Sequence, residues 1–137
     1  MDYQRLIKAR NESGSFRNLV GVVATDIGEG YAVCELEVTD KVRNQIHSVA
    51  GGCLYTLADT AAGSVCAGYG IKATTTNSDF HFLNPGLNCT KLYAYAKEIK
   101  HGKRLAVVAV DVKDQDDNLL SYGVFSFMFL NEPIDYL

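Results

Sequence analysis

A chain of 137 residues, 47% hydrophobic, 10% aromatic and 21% charged, has enough apolar material for one folded domain and too much for a disordered one. Its 13 basic and 16 acidic residues leave a formal charge of −3, with no basic patch of the kind a nucleic-acid surface needs. No apolar run reaches membrane-spanning length, and the opening MDYQRLIKARNESG is too polar for a secretion signal, so the expected location is the cytoplasm.

Residues 2–12 read as a short helix with Leu6, Ile7 and Ala9 on its apolar side. NLVGVVATDIGEG reads as a strand running into a glycine-rich turn. In YAVCELEV, Ala32, Cys34, Leu36 and Val38 face one way while Glu35 and Glu37 face the other, a half-buried strand. After a loop, Leu54, Leu57, Ala58, Ala61 and Val65 recur three and four apart. This spacing predicts a helix over about 51–68, ended near Gly68 or Gly70. Four strands are expected next: KATTTNSDFHFL to the turn NPG, CTKLYAYAKEI to KHGK, RLAVVAVDVKD to QDDN, and LLSYGVFSFMFL. Tight turns imply antiparallel neighbours. Two strands, one long helix and four strands make an α+β architecture, a single domain over 1–137 with no repeat or linker.

Phe125, Phe127 and Phe129 point one way from the last strand, and Val124, Met128 and Leu130 the other. One helix covers one face of a sheet, so the second apolar face calls for a second subunit, in a homodimer or homotetramer. Cys34, Cys53, Cys66 and Cys89 are widely spaced without a C-x-x-C pair, and His47, His81 and His101 have no ligand spacing. No metal or cofactor is expected, and the cysteines read as reduced, buried thiols.

The long helix carries one charge, Asp59. With successive residues turning by about 100°, Asp59 lies off the apolar stripe, on a face with Gly52, Thr56, Ala62, Gly63 and Cys66. These small residues let another surface approach the carboxylate. The carboxylate either pairs structurally across an interface or carries chemistry. Gly51 and Gly52 open the helix, where backbone N–H groups lack intrahelical partners and favour developing negative charge. Without a Cβ the backbone there approaches a ligand closely, as an oxyanion donor for acyl transfer must. The glycines also read as a plain loop-to-helix turn. Gly52 and Asp59 are seven apart, on nearly one line, and are expected to bracket an acyl carbon.

Asn44, Gly51, Gly52, then Leu57 and Asp59 on the helix, Phe82-Leu83-Asn84-Pro85, and Gly102-Lys103-Arg104 with the strand to Phe127 form a pattern. It resembles the hotdog-fold acyl-CoA thioesterases, and among them the PaaI-type (phenylacetic acid degradation) group, over about residues 15 to 130. The resemblance implies a curved antiparallel sheet wrapped around one helix. It implies Asp59 as general base or nucleophile, the Gly51 N–H polarising the thioester carbonyl, and Asn44 holding the carbonyl or water across the subunit interface from the other copy's aspartate. It also places a hydroxyl residue, here Thr75, near the site. Gly52 stands beside the substrate in this reading, and His47 either swings in beside it in place of the missing histidine or is a loop histidine with no catalytic role. Lys100, Lys103 and Arg104 either meet the phosphates of CoA or form a solvated hairpin turn. Tyr93 and Tyr95 read as sheet packing.

Two positions depart from the pattern: Ala50 stands where the group has a histidine, and His47 where it has a glycine. NQIH also faintly resembles the hydratase branch of the fold, but Val42 and Gln45 replace its aspartate and proline. Acyl-CoA hydrolysis is the expected function. Enoyl-CoA hydration and acyl-CoA binding without turnover are the alternatives.

Overall fold

The computed structural model describes residues 1–14 and 16–137. Asp2 caps α1 (Tyr3–Ser13), its Oδ1 accepting from the Arg5 N–H at 3.1 Å. A second short helix, α2 (Phe16–Val20), follows where the sequence reads as strand. Gly21, at φ 102°, ends it in a backbone conformation that glycine adopts freely, and β1 begins only at Val22. Then come β1 (Val22–Gly28), β2 (Tyr31–Glu37), a 3-10 turn (Asp40–Val42), α3 (Gly51–Ala67), β3 (Ile71–Phe82), β4 (Lys91–His101), β5 (Leu105–Asp114) and β6 (Leu119–Pro133).

The sheet has six strands in the order β1-β2-β4-β5-β6-β3, all pairs antiparallel. One expectation is corrected. The NPG turn does not join neighbours: β3 pairs with β6 and β4 pairs with β2. The turn sits in a longer connection, residues 83–90, that carries the chain from one side of the sheet to the other. Helix α3 fills the concave face. Leu57, Ala58, Ala61, Ala62 and Val65 are fully buried against Cys34, Leu92, Val108, Val110 and Phe125. The alanines keep the helix surface shallow, so the strands approach it closely at native packing density. Each fully buried Leu, Val or Phe contributes about 1.5–3 kcal/mol relative to exposure.

Phe125, Phe127 and Phe129 face α3 and are buried. The other face stays apolar and open, with Leu105 48%, Met128 42% and Leu130 41% exposed. All four cysteines are free and buried. Burial pushes the Cys66 thiol up to about 12 and those of Cys34 and Cys53 up to about 11, which keeps them unreactive. Among the described residues no helix is long and apolar enough to cross a membrane.

Candidate active site

The segment before α3 is shaped by Asn44. Its Oδ1 accepts from the N–H of Ile46 and of Ser48, both at 3.1 Å, and its Nδ2 donates to Ser48 Oγ at 2.8 Å. Arg43 ties the loop down, donating to the carbonyls of His47 at 2.8 Å and of Cys89 at 2.8 Å. His47 sits at φ 64°, the left-handed region that favours glycine. Its side chain is exposed, and its backbone makes the turn, its N–H donating to the Asn44 carbonyl at 3.0 Å. The left-handed backbone assigns position 47 a turn-forming task, one that glycine also meets without strain.

Ala50 is the N-cap of α3 and supplies no side-chain cap. Among the described residues the N–H groups of Gly51 and Gly52 have no partner. Beside them lies a cavity of about 330 Å³, lined by Asn44, Ser48, Gly51, Leu54, Phe82 and Pro85 among others. A Cβ at position 51 would stand 3.2 Å from the Phe82 ring, so glycine allows this close fit. Gly52 faces open space.

Two turns along α3, Asp59 is half-buried and its Oδ1 accepts from the Thr75 hydroxyl at 2.7 Å. Burial raises the Asp59 carboxyl above the ordinary range, and the Thr75 bond pulls it part of the way back. β3 supplies Thr75 from the inward-facing row it shares with Ser78, Phe80 and Phe82. Ser78 Oγ lies 2.7 Å from Tyr55 Oη, and Phe80 packs edge-on to Tyr55, ring centres 5.4 Å apart. An aromatic wall thus runs between the glycine end and the carboxylate. Sequence reading missed it, and the only signal was the alternation of Ser78, Phe80 and Phe82 in β3.

Gly51 and Asp59 are eight residues apart, so about 12 Å of helix axis separates them. Reacting atoms must approach to about 3–3.5 Å. One helix therefore cannot put both groups on one carbonyl, and the expectation that Gly52 and Asp59 bracket an acyl carbon fails within a single chain. A second expectation also changes. Ala62 and Cys66 belong to the chain's own core, 0% and 1% exposed, so only Gly52, Thr56, Asp59 and Gly63 keep that helix face open. Lys103 and Arg104 are exposed in the β4–β5 turn and form no ion pair among the described residues. Tyr93 and Tyr95 stack on the outer face, ring centres 6.2 Å apart, away from the helix.

Residues 47–121, more than half of the chain, match the thioesterase superfamily. The chain belongs to the thioesterase superfamily. Within the superfamily it is 29% identical over 113 residues to the acyl-coenzyme A thioesterase PaaI of Escherichia coli K12, covering 82% of this chain and 81% of that one. It is 24% identical over 115 residues to human acyl-coenzyme A thioesterase 13, covering 82% of each. The solved structure of the E. coli PaaI protein from the phenylacetic acid degradation operon superposes with a TM-score of 0.90 at 26% identity, over 96% of each chain. A Streptococcus mutans protein solved with acetyl CoA shares the fold, with a TM-score of 0.81 at 24% identity over 90% of this chain and 97% of that one. The hotdog architecture and the PaaI-type resemblance expected from the motifs both hold.

Proposed function

We propose that this superfamily member hydrolyses the thioester bond of an acyl-CoA, with each site built from two copies of the chain. The observation that carries this reading is the division of the site's parts. Unpartnered N–H groups and Asn44 line a cavity at one end of α3, and a half-buried carboxylate with a hydroxyl partner lies about 12 Å away. Two copies in reciprocal arrangement bring the Asp59 of one to the Gly51 end of the other, twice over.

In that site the Gly51 N–H receives the carbonyl oxygen, and its negative charge grows as water attacks the carbonyl carbon. Asn44 keeps one Nδ2 hydrogen beyond its bond to Ser48, and this hydrogen is available to the carbonyl or the water. Asp59, ionised, takes the proton from water. The C–S bond then breaks, and the CoA thiolate leaves and is protonated. Thr75 orients the carboxylate. The exposed Lys100, Lys103 and Arg104 meet the phosphates of CoA. The open apolar outer face, with Leu105, Met128 and Leu130, supports pairing of dimers into a tetramer. The four free thiols fit a reducing compartment, the cytoplasm.

The test is thiol release over a panel of acyl-CoAs with Asp59→Asn alongside. Removing a general base is expected to cost about 10²–10⁴ in kcat. Equal hydrolysis by both proteins refutes the role of Asp59. Binding without turnover would make the chain an acyl-CoA-binding protein instead. With crotonyl-CoA, loss of the conjugated absorbance in place of thiol release would mark a hydratase.

A further inference from the structure

Beyond Asp59, one turn further along α3, lies positive charge without a counter-ion. Arg10 of α1 is half-buried, and neutral groups hold it: Nε donates to Ser64 Oγ at 3.0 Å and Nη1 to Tyr136 Oη at 3.0 Å. Among the described residues no carboxylate forms an ion pair with it. A second guanidinium, that of Arg17, donates to the Arg10 carbonyl, which adds to the positive charge at this spot. Taking a cation out of water without a counter-charge is costly, and a guanidinium so placed matches the fork of a carboxylate.

The groups around Arg10 form a cavity of about 310 Å³, lined by Gly63, Ala67, Ala73, Thr74 and Tyr136 among others. Arg10 Nη2 lies 3.8 Å from where a Cβ on Gly63 would stand, so the guanidinium reaches out over α3 at that glycine. Lys72 also lines the cavity, but it is engaged by Asp135 at 2.8 Å and Glu132 at 3.4 Å. Arg10 is therefore the cation left for a ligand. Gly63 shares the helix face of Asp59, and Ala73 and Thr74 lead directly into Thr75. The cavity thus lies one helical turn beyond Asp59, next to the site and lined by neither Asp59 nor Thr75.

We propose that this cavity is the acyl-end subsite and that it takes a carboxylate, so that the preferred substrate is an acyl-CoA whose acyl chain ends in a second carboxyl group. The proposal rests on the thioesterase reading above. Gly63 lies about 6 Å beyond Asp59 along the helix axis. A chain of about four to six carbons bridges that gap. The phosphates of CoA, at the far end of the pantetheine arm, are too distant from the thioester to be the anion.

Glutaryl-CoA and pentanoyl-CoA have equal chain length and differ in the terminal carboxylate. In thiol-release assays, kcat/KM is expected to be at least about tenfold higher for glutaryl-CoA, the gain of one charge-assisted pair. Arg10→Gln should bring the ratio to about one, and Arg10→Lys, which keeps the charge without the fork, should retain part of it. Glutarate, and not the uncharged pentanamide of equal chain length, should raise the melting temperature of the unaltered protein, a result that stands even if the Arg10 variants fold poorly. A ratio near one in the unaltered protein, or a preference that survives Arg10→Gln in a folded variant, overturns the proposal. If no acyl-CoA is hydrolysed the thioesterase reading fails instead, and the glutarate melt still decides whether Arg10 binds a dicarboxylate.

Discussion

Replacing Thr75 by Val removes one hydroxyl and keeps the β-branched shape. The lost bond is a 2.7 Å O–H to carboxylate contact, within the short range of charge-assisted bonds. Bonds to charged groups contribute about 1.5–3 kcal/mol, and water competes at a half-buried carboxylate, so the expected loss is about 1–2 kcal/mol. For a domain of this size that lowers Tm by about 3–8 °C. The sign with pH follows from the two influences on Asp59. Burial raises its carboxyl and the Thr75 hydroxyl lowers it, so Thr75→Val raises it further. The bond favours the ionised form, so the stability it contributes is present above the carboxyl's titration and fades as falling pH protonates the group. In the kcat/KM profile for thiol release the acid limb should move to higher pH. Thr75→Val and Asp59→Ala combined in a double-mutant cycle should show a coupling of about 1–2 kcal/mol. An acid limb that stays in place, together with strictly additive stability losses, would refute the reasoning.

Three further outcomes are expected. Asp59→Asn should melt higher than the unaltered protein at neutral pH. The folded carboxyl is raised by burial, so its charge destabilises the fold above the unfolded titration, and the difference should vanish in acid; thermal melts at both pH values check it. Gly51→Ala should keep the fold, since alanine favours helix, yet its Cβ would stand 3.2 Å from the Phe82 ring and push the ring within the cavity. A loss of about 10- to 100-fold in kcat/KM is expected, and full activity would remove Gly51 from the site. Met128→Glu places a charge on the open outer face. Light scattering should then report a smaller assembly with unchanged circular dichroism, and an unchanged mass would exclude that face as an interface.

The long helix was legible because its spacing is regular and its single charge is conspicuous. Asp59 and Gly51 stood out from residue type and order, whereas Asn44 came only with the family resemblance. The position of β3 was not legible. Which strands pair depends on long-range closure around α3, and the local NPG turn gives no sign that β3 must reach β6. The bond between Thr75 and Asp59 depends on that same closure, since only the curl of β3 over α3 brings them together. Residues 18–20 read as strand because Leu19 and Val20 suit one, and only the backbone of Gly21 marks the break. The task of Arg43 was hidden because all its partners are backbone carbonyls, which leave no trace in sequence.

The pairing of β3 with β6 also sets an order of assembly. Thr75 lines up with Phe127, so β3 waits for the last strand, β6, before its ladder can form. During synthesis α3 emerges early with its apolar stripe bare, while the contacts that close the Asp59 end arrive late. Such non-local closure slows folding, because loop entropy is lost before the contacts form. Of the parts of this site, the carboxylate and its hydroxyl partner should acquire their geometry late in folding, whereas Asn44 and its local turn need no distant strand to take shape.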